Sequence, residues 1–136
     1  MSGAFIVRAA IHDALSGDGT LATLVNQVSD GEPVKASAPW LQVGDPVVTG
    51  WGARGVEGLT LRQPIQLVLR GDDLPRVTAI LDRVDAVLGA IDGELGDGAP
   101  GGWRITGLRF ERSRIVRSRT EWRVSVDYVV RAARLT

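Results

Sequence analysis

The most regular spacing of apolar residues in the chain runs from Leu74 to Ile91. Leu74, Val77, Leu81, Val84, Leu88 and Ile91 recur at intervals of three and four, the stripe of an amphipathic helix. Asp72 or Asp73 can cap it, and Pro75 suits a first turn, where a missing N–H leaves nothing unsatisfied. Ala4, Val7, Ile11 and Leu15 predict a short helix over 2–15. Leu21, Leu24, Val25 and Val28 predict a second over 20–27.

Period-two alternation predicts the strands. One is short, Pro39 to Val43. The next runs from Leu59 to Arg70, with Leu59, Leu61, Ile65, Leu67 and Leu69 on one face. Pro64 lies on the polar phase and cannot donate to a ladder, so it predicts an edge strand or a bulge. Two strands close the chain as a long antiparallel hairpin that turns near Ser118 and Arg119. In the first, Trp103 and Ile105 share one parity and Leu108 and Phe110 the other. The change falls at Gly107, where a β-bulge is expected. In the second, Trp122, Val124, Val126, Tyr128 and Val130 alternate with polar residues. On these phases Trp103, Phe110, Trp122 and Tyr128 all point into the core.

Residues 30–38, 44–58 and 93–102 are expected as loops. The middle one, GDPVVTGWGARGVEG, holds five glycines in fifteen positions and reads as a mobile loop bearing Trp51 and Arg54. The order α-α-β-β-α-β-β then predicts an α+β fold. It is a single domain over 1–136, with a mostly antiparallel four-stranded sheet, the long helix packed on its apolar face, and short N-terminal helices.

Composition narrows the function. The 136 residues are 44% hydrophobic, enough for one core, and no apolar run approaches the ~20 residues that span a bilayer. Arg8, His12 and Asp13 interrupt the apolar N-terminal stretch, which argues against a secretory signal. The chain has no cysteine, so disulfides and thiolate metal sites are excluded.

Net charge is zero but unevenly spread. Residues 1–103 carry a balance of −6, and residues 104–136, with nine arginines, carry +6. Opposite fields on two parts of one domain suit self-association or stacking on a partner, unless folding mixes them. The arginines of the last hairpin fall at strand spacing, as on a solvated sheet face cross-paired with Glu111, Glu121 and Asp127. A protein interface is the second reading, since arginine is favoured there. A nucleic-acid surface fits least: its cations would want aromatic platforms beside them, and these aromatics fall on core phases. Catalytic chemistry finds no residues. His12 is the only histidine, and no nucleophile motif or phosphate loop is present. Asp92, Glu94 and Asp97 lack the spacing of an EF-hand and read as a solvated acidic turn. No catalytic, metal or cofactor-binding residue is expected.

The order of segments resembles the tail-completion or tail-terminator family of long-tailed bacteriophages and phage-like gene transfer agents. The resembling pieces begin with the short helix and proline-led strand of GDGTLATLVNQVSDGEPVKASAPWLQVGD. They continue with VVTGWGARG, the strand LTLRQPIQLVLRG, the helix DDLPRVTAILDRVDAVLGAI and the hairpin WRITGLRFERSRIVRSRTEWRVSVDYVVRA. The GAPGG before Trp103 is more glycine-rich than the family pattern. The resemblance implies a virion protein of the tail or neck, assembled in the bacterial host cytoplasm. It implies a homo-hexameric ring at the head-proximal end of the tail tube, with the tube protein and the head–tail connector as partners and DNA passing through the lumen without specific binding. On this resemblance Arg112, Arg114, Arg117 and Arg119 are expected at a subunit or ring interface, and Trp51 and Arg54 against the tube or connector. The alternatives are a head-side stopper or adaptor ring, or a dimeric α+β domain that binds a ligand or nucleic acid.

Overall fold

The structure, a computed structural model, describes residues 2–31, 37–71, 73–91, 93–95 and 102–135. Its spine is a pair of long strands, β4 (Val56–Arg70) and β7 (Glu121–Leu135), antiparallel along their whole length. Around them stand α1 (Ser2–Ser16), α2 (Gly19–Leu24), β1 (Gln27–Asp30), β2 (Trp40–Val43), β3 (Val47–Ala53), α3 (Leu74–Gly89), β5 (Gly93–Glu94) and β6 (Arg104–Arg117). All seven strands join one sheet in the order β1-β2-β4-β7-β6-β5, with β3 also on β4. Only the β1–β2 pair is parallel.

The fold class is α+β and the sheet is mostly antiparallel, but it has seven strands rather than four. Gln27, expected at the end of the second helix, starts β1. Residues 44–58, expected as a mobile loop, contain β3 and its turn into β4, with Gly55 at φ +77° between them. Here glycine serves the hairpin turn instead of breaking the strand. Asp72, Asp92, Asp97 and residues 98–101 of the GAPGG segment lie outside the described residues, as does the side chain of Glu94.

The core lies on one face of the sheet. Leu59, Leu61, Ile65, Leu67 and Leu69 of β4 and Val124, Val126, Tyr128, Val130 and Ala132 of β7 are buried there. Val7, Ile11 and Leu15 of α1 and Val77, Ile80, Val84 and Leu88 of α3 cover them. Asp73 caps α3, accepting from the Arg76 amide at 3.1 Å. The Tyr128 hydroxyl donates to Asp85 of α3 at 3.2 Å. Burial first, and then the Asp85 carboxylate, push the phenol well above its usual range.

Pro64 shows why a central strand can hold a proline. One side of β4 is shared by β3, against residues 56–62, and β2, against residues 65–68. Pro64 falls in the gap between them, where its carbonyl accepts from the Gly44 amide at 3.0 Å. Within a strand residue the nitrogen and carbonyl point to the same side, so the absent N–H faces the gap and no ladder bond is lost. The buried Gln63 side chain fastens the gap, its Nε2 donating to the Gly44 carbonyl at 2.7 Å.

Two arginines of α3 hold the short α2 at both ends. Arg83 makes paired bonds of 2.6 and 2.9 Å to Asp18, the cap of α2, and Arg76 donates to the Leu24 carbonyl at 3.0 Å. The Arg83 bond, then the Leu21 amide, lower the Asp18 carboxyl to about 2. Its folded value lies below the ordinary carboxylate value of about 4, so this contact stabilises fully above about pH 4. That stability is lost as pH falls through the interval down to about 2. The melting-temperature gap between the parent and Asp18→Asn is expected to narrow across that interval. A gap independent of pH would show that the carboxylate charge contributes nothing.

Candidate functional site

The β6–β7 hairpin carries the arginines, and all of residues 112–120 are exposed. The three acids expected as cross-strand partners are each paired. Asp127 accepts from Arg112 at 2.8 Å, Glu121 from Arg123 at 3.2 Å, and Glu111 from Arg62 of β4 at 3.1 Å. The last pair spans β7 above the buried Val129. Arg117 lies over the Trp122 ring at 4.9 Å. Arg114 stands opposite Ser125 on the sheet face away from the helices. Arg114 and Arg119 have no ion-pair partner among the described residues. Of the four arginines expected at an interface, Arg112 is therefore committed within the chain, Arg117 is stacked, and Arg114 and Arg119 leave their charge to solvent or to another molecule.

The expected bulge is present: the β6–β7 register shifts between Ile105 and Gly107. A second shift, between Phe110 and Arg112, carries no glycine and was not legible. It turns Arg112 and Arg114 to the outer face. Phe110, expected in the core, is 51% exposed. It keeps the core parity, edge-on to Tyr128 at 6.3 Å between ring centroids, but half of its surface stays open to solvent. Ile115, on the same face, is exposed too, and Val116 is exposed on the opposite face. β5 pairs only with Arg104 and Ile105, so from Thr106 onward β6 has no second neighbour among the described residues. Apolar side chains along an unpaired strand edge are a ready template for another chain.

Trp51 and Arg54 lie apart. Arg54 is exposed in the β3–β4 turn. Trp51 lies half-buried on Gly58, its cross-strand partner, beneath the Arg131 guanidinium at 4.5 Å from the ring. It borders an apolar recess of about 690 Å³ formed with Ala53, Val56, Ala133 and Leu135. A Cβ at position 58 would lie 2.2 Å from the indole. Gly58→Val is accordingly expected to expel Trp51 and cost about 1–3 kcal/mol of stability, read as a red shift in tryptophan emission with an earlier denaturant midpoint. Unchanged emission would show that the indole is not seated there.

A cluster that sequence reasoning missed lies at the opposite side of the sheet. Arg8 of α1 donates to Asp30, at the end of β1, and to Asp45, between β2 and β3, each at 2.8 Å. Positions 8, 30 and 45 share no local spacing, so only the tertiary fold brings them together. His12 Nε2–H is set to donate to the Val28 carbonyl at 3.3 Å, a packing contact. Among the described residues no three histidine, aspartate or glutamate side chains gather as a metal site, and no helix is long and apolar enough to cross a membrane.

Three comparisons with known proteins concern the chain as a whole. The profile of the family described as tail completion protein gp17 matches residues 9–133. No curated protein matches. Among solved structures, a chain from the virion of a native gene transfer agent (GTA) particle superposes with a TM-score of 0.77 at 22% identity, covering 97% of this chain and 96% of the other. That likeness is one of fold.

Proposed function

Starting from the fact that the chain belongs to the tail completion protein gp17 family, we propose that it forms a homo-hexameric ring at the head-proximal end of a tail tube. The ring ends tube polymerisation and joins the tail to the head connector. Family membership makes the chain a structural protein of a phage-type tail or neck. The single observation that carries the reading is the family match across residues 9–133, nearly the whole domain.

The surface supports it. A ring closes by head-to-tail contacts, which need two different surfaces on each subunit. The hairpin offers one, with Arg114 and Arg119 as its open charges, Arg112 and Arg117 beside them, and the unpaired β6 edge. DNA passes through the lumen without a specific grip. Trp51, with its recess, and Arg54, at the turn beside it, meet the tube or the connector.

Light scattering at high and low concentration tests the ring. A species of about 87 kDa, six copies of the 14.5 kDa chain, is expected, alone or on addition of tail tube. A dimer at every concentration, or a monomer that the tube does not recruit, would sink the reading. A second test concerns the recess. Replacing Trp51 and Arg54 with alanine is expected to leave the ring intact while blocking head–tail joining in an assembly assay. Unimpaired joining would remove both residues from the contact.

A further inference from the structure

We infer that the sheet edge formed by β3 and the N-terminal part of α1 is the surface on a second copy of this chain that receives the free β6 edge. This rests on the ring reading above and assigns the other half of each subunit contact. Four observations on the two edges match.

The first is strand pairing. β3 pairs only with β4, so its other edge, like that of β6, has no neighbour among the described residues. An extended strand satisfies such an edge best. The two edges lie on opposite sides of the same sheet, so one copy can present β6 while the next presents β3, in a continuous direction.

The second is apolar exposure, paired on the same faces. On the helix-bearing face, Phe5 is 70% exposed beside β3 and Phe110 and Ile115 are exposed on β6. On the other face, Val47 is 66% exposed on β3 and Val116 is exposed on β6. Edge-to-edge docking keeps both faces aligned, so apolar groups on each face of one edge approach the same face of the other. The third is shape. Ala4, Phe5, Arg8, Asp45, Pro46 and Val48 line a recess of about 260 Å³ between α1 and the start of β3, large enough for an apolar side chain from the neighbour.

The fourth is charge. Arg8 is shared between two carboxylates, Asp30 and Asp45, which leaves one negative charge in surplus. The Asp45 side chain is 90% exposed. The β6 edge and the turn that follows it have the opposite surplus, with Arg114 and Arg119 carrying no ion-pair partner among the described residues. Complementary edges attract the next copy and repel the wrong pairing of like edges. A second copy is therefore favoured over an unrelated partner: one molecule carries both halves.

The test is a charge swap on the full chain. Asp45→Lys alone and Arg114→Glu alone are each expected to weaken self-association roughly tenfold or more, because like charges then face each other. The double variant, which restores an opposite pair, is expected to recover most of the parent affinity. Phe5→Ser, at an exposed position, should weaken association without lowering the melting temperature. Molar mass by light scattering reads association, and thermal melts read the fold. If the parent assembles and the single variants assemble equally well, this interface is wrong while the ring reading stands. If the parent stays near 14.5 kDa at every concentration and tail tube does not recruit it, the ring reading fails and this interface with it.

Discussion

Trp103→Ala is expected to cost about 3–5 kcal/mol, a large part of the stability of a domain this size. Trp103 is the largest side chain with no exposed surface, and it ties three chain segments together. It precedes β6, and its ring lies so close to α1 that a Cβ at Gly3 would stand 2.4 Å from it. The Arg134 guanidinium of β7 lies 5.1 Å from the ring centroid on another side, and Arg134 is itself paired with Glu57 of β4. Truncation would open a cavity where α1, β6 and β7 meet. The ring acts there by volume, because its Nε1 has no hydrogen-bond partner among the described residues. Trp103→Phe should therefore cost much less than alanine. Urea unfolding read by circular dichroism measures both variants. An alanine cost below about 1 kcal/mol would mean that the neighbouring segments collapse onto the site.

The second large effect is on assembly. Reversing Arg114 and Arg117 to glutamate is expected to remove the ring while leaving the monomer folded. Arg114 has no ion pair among the described residues to lose. Arg117 gives up its place over Trp122, worth about 0.5–1 kcal/mol at an exposed site. The fold should survive, and far-ultraviolet circular dichroism checks that it does. The interface has no such margin, since like charges set against one another cost several kcal/mol per contact. If sedimentation shows rings as abundant as in the parent, the hairpin arginines belong to the solvated face and not to a subunit contact.

The sequence made the helices and the spine legible because each follows one period over many residues. The stripe of α3 and the alternation of β4 and β7 are long enough to outweigh local exceptions, and Gly107 marked its bulge by breaking parity. Short or glycine-rich strands were hidden. β1 has four residues, only one of them apolar, too few to display a period. β3 contains Gly50 and Gly52, which by propensity argue for a loop. Its partner Gly58 is there because the Trp51 indole occupies the space a side chain would need. Phe110 was misread because parity tells which face a residue takes, not how far the covering helices extend. At the candidate interface, the basic hairpin was visible as a run of arginines, whereas the acidic edge around Arg8 was not. A contact among positions 8, 30 and 45 is made by the fold and leaves no pattern along the chain.

The split side of β4 has a consequence for how the protein opens. β3 touches the rest of the sheet through β4 alone, and its ladder stops short of the gap at Pro64. Peeling β3 away breaks that ladder and unseats Trp51 but leaves the β1–β2–β4–β7 pairing whole. Amide protons of β3 should exchange with solvent through this partial opening, long before those of Leu61, Leu67 or Val130 on the spine, which wait for global unfolding. The exposed Arg54–Gly55 turn is accordingly a point where the chain can accept extra residues. Lengthening the hairpin there can reshape one end of the molecule while the folding unit beneath it stays as it is.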